Sequence, residues 1–479
     1  MGYIYIIIPK INDSLEVNVL NLELSRSSIW TSIDEAEHNE IYAYGERYKK
    51  FLDESKTERE ATKFIIEKAK EKGFISLEEA IKSEIKPGDK IYFNNRNKSA
   101  VLCVVGKDME KGMNIVGSHI DCPRLDIKAN PLYEDSELAL LKTHYYGGIK
   151  KYQWPTIQLA LHGYIVNSEG EGIDISIGED EDDPVFFIND LLPHLSADQY
   201  KKSLGEAIPG ESLNIVVGHS SYKFKGEENP IKKAILDELY RKYKIVEEDF
   251  LIAELEAVPA AKARDVGFDR SMVAAHGHDD RICSYANLEA ILEIENPETT
   301  AVGLFVDKEE IGSVGNTSMA SKFFENFICE IMYAQKDYSE VKFRRAMYNS
   351  KVLSADVTVA VDPDHKNVGE ERNSAKSGYG VCLSKYTGAR GKSGCNDANT
   401  EFLAELRDIF KKNNIIWQTG ELGKVDQGGG GTIAYILAEY GMEVVDMGTP
   451  MLSMHAPIEL ASKADSYMTK KAYKAFLNR

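Results

Sequence analysis

The sequence predicts an α/β protein: a three-layer α/β/α core around a mostly parallel sheet, with a β-rich domain inserted into it. Three observations lead there. Beyond residue 257, stretches of helical period alternate with short apolar strands, the pattern of parallel strands joined by helices. Between about residues 124 and 255 the apolar period is two instead, as in half-buried strands. A length of 479 residues also exceeds what one core normally holds, so two domains are expected. The expected division is 1–123 with 255–479 for the α/β core and 124–254 for the insert.

The first element is a helix over 34–53 with one apolar face. Thr57-Glu58-Arg59-Glu60 is a capping box opening a second helix, because the hydroxyl and the carboxylate three residues on can satisfy each other's backbone donors. Ser76 and Glu79 repeat the device. The period then changes. Segments 90–93 and 100–105 are strands around an Asn-rich turn, a hairpin, and 114–117 is a strand running into Ser118-His119-Ile120-Asp121. In the insert, Ile157, Leu159 and Leu161 alternate with Gln158, Ala160 and His162, and Ile173, Ile175 and Ile177 alternate with polar residues. The acidic stretch 178–183 is a loop. Asn229-Pro230 caps a helix with Ile231, Ala234, Ile235 and Leu239 on one face. Beyond the insert, helices are expected at 281–294, 317–334, 399–412 and 432–440, with strands at 301–306, 357–361, 415–418 and 443–446.

Hydrophobic residues make up 43% and charged residues 28%, the balance of a globular chain. A net charge of -19 argues against a nucleic-acid partner, which needs a basic patch. That charge reads as a solvated surface, with an acidic mouth that attracts a cationic ligand as the sharper alternative. The six cysteines show no zinc-knuckle or thioredoxin spacing and fit free thiols in a reducing cytoplasm. The apolar run at 3–8 lacks a preceding basic segment and is too short for a signal peptide, and no stretch reaches membrane-spanning length. A cytoplasmic protein without a membrane partner is expected.

Five short segments place His and carboxylate residues beside predicted strand ends, where ligands gather in open α/β sheets. They are Gly117-Ser118-His119-Ile120-Asp121, His278-Asp279-Asp280-Arg281, Asp307-Lys308-Glu309-Glu310-Ile311-Gly312, Ser354-Ala355-Asp356 and Ser453-Met454-His455. Each alone has a bland reading: a structural His, a solvated Glu pair, a turn Asp. Together, two His and three carboxylates suit zinc or a similar divalent ion, and one carboxylate can bridge two ions. In His119-x-Asp121 an extended backbone points both side chains to one face, so Asp121 can hold the His119 ring. Alternation along a strand sends Glu309 and Glu310 to opposite faces, one to metal and one to water. Gly428 to Gly431 lacks the Lys-Ser/Thr ending of a phosphate loop and reads as a turn bringing backbone near the site.

These five segments, in this order, resemble the aspartyl aminopeptidase family of two-zinc exopeptidases. The likeness runs from about Trp30 to the C-terminus, and 117–121, 307–313, 354–356 and 452–455 match specifically. It implies two zinc ions per subunit, with cobalt and manganese as candidate substitutes. His119 and Asp356 would bind one ion, Glu310 and His455 the other, and Asp279 would bridge. Glu309 would be the general base and Asp121 would orient His119. A cis peptide bond after Asp279 is implied as well. So are short peptide substrates and a closed tetrahedral homo-dodecamer built from dimers through the insert.

The chain departs from that family in places. Asp280 and Arg281 follow the bridging Asp, as in the related tetrahedral aminopeptidases, and Asp362 stands where His is usual. Segment 385–390 matches only in part. These departures touch substrate preference, not the zinc ligands. For acidic N-terminal residues, Lys385, Arg390 and Lys392 are the candidate cationic partners, and His194 resembles a residue that completes a neighbouring subunit's site. The rivals are a metal carboxypeptidase or deacylase on a similar core, and a self-assembling scaffold with a dead site. The motif order favours the aminopeptidase, and the complete ligand set argues against the scaffold.

Overall fold

The computed structural model describes residues 22–479, so the apolar run at 3–8 lies outside the described residues. Three sheets organise the chain. The largest has nine strands in the order Ile75–Ser76, Lys90–Asn95, Ser99–Val104, Thr300–Val306, Met113–His119, Lys351–Ser354, Glu443–Gly448, Val381–Ser384 and Trp417–Thr419. Five of its eight pairings are parallel, so this is the mixed, mostly parallel sheet that helix–strand alternation implies.

Its strands split their side chains between two apolar clusters. Ala100, Leu102 and Val104 face one way, with Tyr44, Phe51, Ile65, Leu406 and Tyr473 from helices Glu35–Glu54, Glu58–Glu71, Thr400–Lys412 and Lys463–Leu477. Val101 and Cys103 face the other way, with Phe327, Ile331, Phe343 and Leu437 from helices Phe323–Ala334, Glu340–Tyr348 and Ala434–Ala438. Each large apolar side chain so buried contributes about 1.5–3 kcal/mol over an exposed one.

The seven-stranded sheet is wholly antiparallel and comes from Arg124–Asp135, Leu138–Tyr146, Gln158–Val166, Gly172–Ile177, Phe186–Ile188, Ile215–Gly218 and Glu254–Pro259. Strand Glu254–Pro259 pairs with both Arg124–Asp135 and Gln158–Val166, which closes six strands into a ring and covers their edges. A third sheet joins Arg264–Val266, Met272–Ala275, Glu459–Ser462, Pro450–Leu452 and Thr358–Val359. No described helix is long and apolar enough to cross a membrane.

Local signals hold where the interaction is local. Asp34 accepts from the Glu37 N–H, Thr57 and Glu60 close a reciprocal capping box, and Ser76 accepts from the Glu79 N–H. The exceptions have tertiary causes. Asn229 precedes helix Pro230–Tyr243 in a left-handed conformation and its side chain does not cap. The Glu134 carboxylate does so, accepting from the Ile231 and Lys232 N–H groups at 2.9 Å each. The helix expected over 317–334 begins only at Phe323, because the Thr317 hydroxyl is spent on Asp307 and the Ser318 hydroxyl on Ser313 and Gly315 carbonyls. The strand expected at 357–361 shortens to Thr358–Val359 and joins the third sheet.

Candidate metal centre

Register in the nine-stranded sheet brings the first ligands together. Strand Met113–His119 ends at His119, which pairs with Val306 on one side, while Gly117 pairs with Ser354 on the other. The three strands run parallel. Their exits therefore place His119, the 307–312 turn and Asp356 at one sheet end. Asp279 arrives on the first turn of helix His278–Leu292, where Asp279 and Asp280 are non-helical and joined by a cis peptide bond. His455 arrives on the loop between strands Pro450–Leu452 and Glu459–Ser462.

The two imidazoles address one carboxylate. His119 Nε2 lies 3.2 Å from Asp279 Oδ1, and His455 Nε2 lies 3.1 Å from Asp279 Oδ2. Glu310 Oε1 is 3.4 Å from His455 Nε2, while Glu309 Oε2 and Asp356 Oδ1 are each 3.9 Å from His119 Nε2. Glu309 and Glu310 do not sit on a strand, as alternation suggested. They form the short 3-10 turn Glu309–Ile311, and both carboxylates reach the cluster.

Asp121 does more than hold a ring. His119 Nδ1 is 3.0 Å from the Asp121 carbonyl oxygen and 3.3 Å from Asp121 Oδ1, which keeps the proton on Nδ1 and leaves Nε2 as a donor atom for metal. The same carboxylate accepts from the Glu309 N–H at 3.1 Å and the Glu310 N–H at 3.2 Å, so it also fixes the Glu pair.

The donors fit a divalent cation. His119 Nε2, Asp279 Oδ1 and Glu310 Oε1 are buried without a hydrogen-bond partner. Two triads, His119–Glu309–Asp356 and His119–Asp279–Glu310, each bring their ligand atoms within 4.8 Å of one another. Buried oxygen and imidazole donors left in this state suit zinc, which takes both. Burial would raise the Asp279 carboxyl, but the two adjacent imidazoles, His119 and His455, outweigh it and hold the group well below the usual range. Burial pushes the Glu309 carboxyl up to about 7, against the pull of His119 and with the charges of Asp121 and Asp279.

A cavity of about 340 Å³ opens on this cluster. Asp279, Glu309, Glu310, Asp356 and His455 line it, as do Arg390, Lys392 and Lys424. Lys385 does not line it and is exposed. His194 lies in the exposed Pro193–Leu195 turn, also away from the cavity. Gly428 to Gly431 form part of the wall, and a Cβ on Gly429 would stand 2.0 Å from the Gly388 carbonyl oxygen, the close backbone approach expected of a glycine run.

Three contributors were not legible in the sequence. The Tyr146 hydroxyl donates to Asp121 Oδ2, the Gly148 carbonyl oxygen lies 2.7 Å from His455 Nδ1, and Glu459 binds two backbone N–H groups beside the ligands. A Tyr at a strand end, a glycine carbonyl and a Glu four residues past a loop His carry no spacing signature.

Comparison with known proteins gives the family. The Aminopeptidase I zinc metalloprotease (M18) family matches residues 51–477. The chain is 54% identical over 452 residues to the probable M18 family aminopeptidase 1 of Clostridium acetobutylicum, covering 94% of this chain and 97% of that one. The crystal structure of the M18 family aminopeptidase from Thermotoga maritima superposes with a TM-score of 0.91 at 43% identity, over 95% of this chain and 100% of that chain. That of aminopeptidase I from Clostridium acetobutylicum gives 0.88 at 49% identity, over 96% and 100%. The chain thus belongs to the M18 family of zinc metalloproteases and is an aminopeptidase, an exopeptidase among the peptide hydrolases.

Proposed function

We propose that this aminopeptidase works with two zinc ions per subunit bridged by Asp279. The observation that carries the reading is the pair of Asp279 oxygens, each about 3 Å from a different imidazole. In this assignment His119 and Asp356 hold one ion, and Glu310 and His455 the other. Bound zinc lowers the pKa of a water molecule and polarises a carbonyl oxygen. Glu309 lies at the cavity wall beside both His residues, takes the proton of the attacking water, and returns it to the leaving amine nitrogen. Asp121 keeps Glu309, Glu310 and His119 in register through its bonds to all three. The substrate's α-ammonium group pairs with an acidic side chain of the cavity, which restricts cleavage to the first residue of short peptides. The test is zinc titration of chelator-treated protein. Two equivalents per chain should restore turnover. Full activity at one equivalent would overturn the two-ion reading.

For specificity we propose acidic N-terminal residues, supported by Arg390, which lines the cavity and among the described residues has no carboxylate within ion-pair distance. A second reading, apolar side chains, draws support from Val357, Leu422, Val425, Met447 and Met454 in the same wall. Lys392 also favours that reading, since Asp397 already pairs with it at 2.9 Å.

We read 1–123 with 255–479 as a three-layer catalytic domain and 124–254 as an inserted domain that makes the subunit contact. Leu191, Leu192, Leu195, Tyr200 and Leu204 are all exposed on that segment, an apolar surface of the kind assembly covers. The yeast structure of mApe1 is a dodecamer and shares this fold at 20% identity and a TM-score of 0.74. A closed dodecamer is our proposal for this chain too. A cytoplasmic location fits six cysteines that are all free.

A further inference from the structure

Glu459 opens the strand Glu459–Ser462, pairs in register with Ala275, and is only 2% exposed. Its two carboxylate oxygens have different duties. Oε1 accepts from the His455 N–H at 2.7 Å, and Oε2 accepts from the Asp279 N–H at 3.1 Å. One buried carboxylate therefore joins the backbones of two residues that come from separate segments and face each other across 3.1 Å. The loop it holds needs holding. Ser453 has φ +58° and His455 φ +63°, left-handed conformations that persist in non-glycine residues only when the surroundings over-determine them. The Gly148 carbonyl fixes the His455 ring at Nδ1, an Ala456 N–H to Ser453 carbonyl bond closes the turn, and Glu459 binds the His455 N–H.

We propose that Glu459 is a positioning residue of the metal centre, setting the spacing between Asp279 and His455 by accepting both backbone N–H groups at once. This rests on the reading of Asp279 and His455 as zinc ligands. Two N–H donors need two acceptors, and a carboxylate is the side chain that supplies both. An amide supplies one acceptor and turns an N–H₂ group toward the other donor. The Glu459→Gln side chain keeps size and shape but breaks one of the two bonds. Glu459→Asp keeps both acceptors on a stem one methylene shorter.

The experiment measures zinc affinity of chelator-stripped full-length protein by competition with a chromophoric chelator, alongside melting temperature without and with zinc, and turnover. Groups that orient metal ligands typically change affinity by roughly 10–100-fold when altered. Glu459→Gln should weaken one zinc equivalent by about that factor, leave the other closer to wild type, and regain turnover as zinc is raised. Glu459→Asp should fall between, and it provides the same readout where Glu459→Gln fails to fold. Wild-type affinity for both equivalents in either folded variant, with only the zinc-free melting temperature lowered, would make Glu459 merely structural and overturn the proposal. Asp279→Asn is measured in parallel. If it too retains both ions, the ligand assignment has failed rather than the role of Glu459.

Discussion

The Tyr146 hydroxyl donates to Asp121 Oδ2 at 2.7 Å, so a residue at the end of a strand of the seven-stranded sheet supports the carboxylate that holds His119 and the Glu309–Glu310 backbone. The Arg124 guanidinium lies 4.0 Å above the same ring and is itself held by Glu58 and Glu256. On the proposed ligand assignment the seven-stranded sheet would thereby serve the metal site as well as being a candidate subunit contact. Tyr146→Phe keeps the ring and its packing and removes one bond to Asp121. Turnover or zinc affinity should fall roughly 10-fold or more, as for other groups that orient metal ligands. Steady-state kinetics and zinc competition read it, and wild-type values for both would remove Tyr146 from the apparatus.

Glu309 and Glu310 are neighbours on one short turn with the same side chain, yet their assigned roles differ. Glu309→Gln should retain both ions, because it removes a proton acceptor and not a proposed ligand. Its turnover should fall roughly 10²–10⁴-fold or more, with a smaller change in substrate binding. Glu310→Gln should lose zinc. Metal stoichiometry measured beside turnover separates the two, and a Glu309→Gln enzyme of normal rate would reverse the assignment.

Arg390 tests specificity. On the acidic reading, Arg390→Ala should lower kcat/KM for aspartyl and glutamyl substrates about 10-fold or more, the loss of a charge-assisted bond, and spare leucyl substrates. A wild-type enzyme that turns over leucyl or alanyl substrates faster than acidic ones decides for the apolar reading and leaves the metal chemistry untouched.

His162 gives a pH signature away from the metal centre. It is buried between Glu60 at 2.8 Å and Glu179 at 3.1 Å, joining the Glu58–Glu71 helix to the seven-stranded sheet. Burial alone would lower the imidazole, but hydrogen bonds to Glu179 and Glu60 outweigh it and raise it from 6.5 to about 9. A raised folded-state value means the stabilisation is fully present below about pH 6.5 and lost as pH rises through 9. Its size is on the order of 3 kcal/mol at most. The melting-temperature gap between wild type and His162→Gln should be widest near pH 6 and shrink toward pH 9.5. A gap that widens with pH would contradict a charged His162.

The assembly prediction is direct. At micromolar concentration the protein should sediment as one large closed species, and Leu195→Asp with Tyr200→Asp should break it, since both side chains are exposed on the candidate contact segment. A wild-type monomer under those conditions refutes it.

What could be read from the sequence was local or chemical. The caps at Asp34, Thr57 and Ser76 follow from bonds spanning three residues, and the strand and helix periods follow from which side chains seek the core. The combination of five His and carboxylate segments marked the site, and the resemblance to a two-zinc family assigned roles to His119, Asp279, Glu309, Glu310, Asp356 and His455. Tertiary structure decided how they meet. Parallel register sets three strand exits side by side, and the third sheet's loop delivers His455 to Asp279. The supports Tyr146, Gly148 and Glu459, and the Glu134 cap on a helix about a hundred residues away, act on backbone groups far off in the chain. Their function is a matter of distance and direction, which only the folded register of the sheets determines.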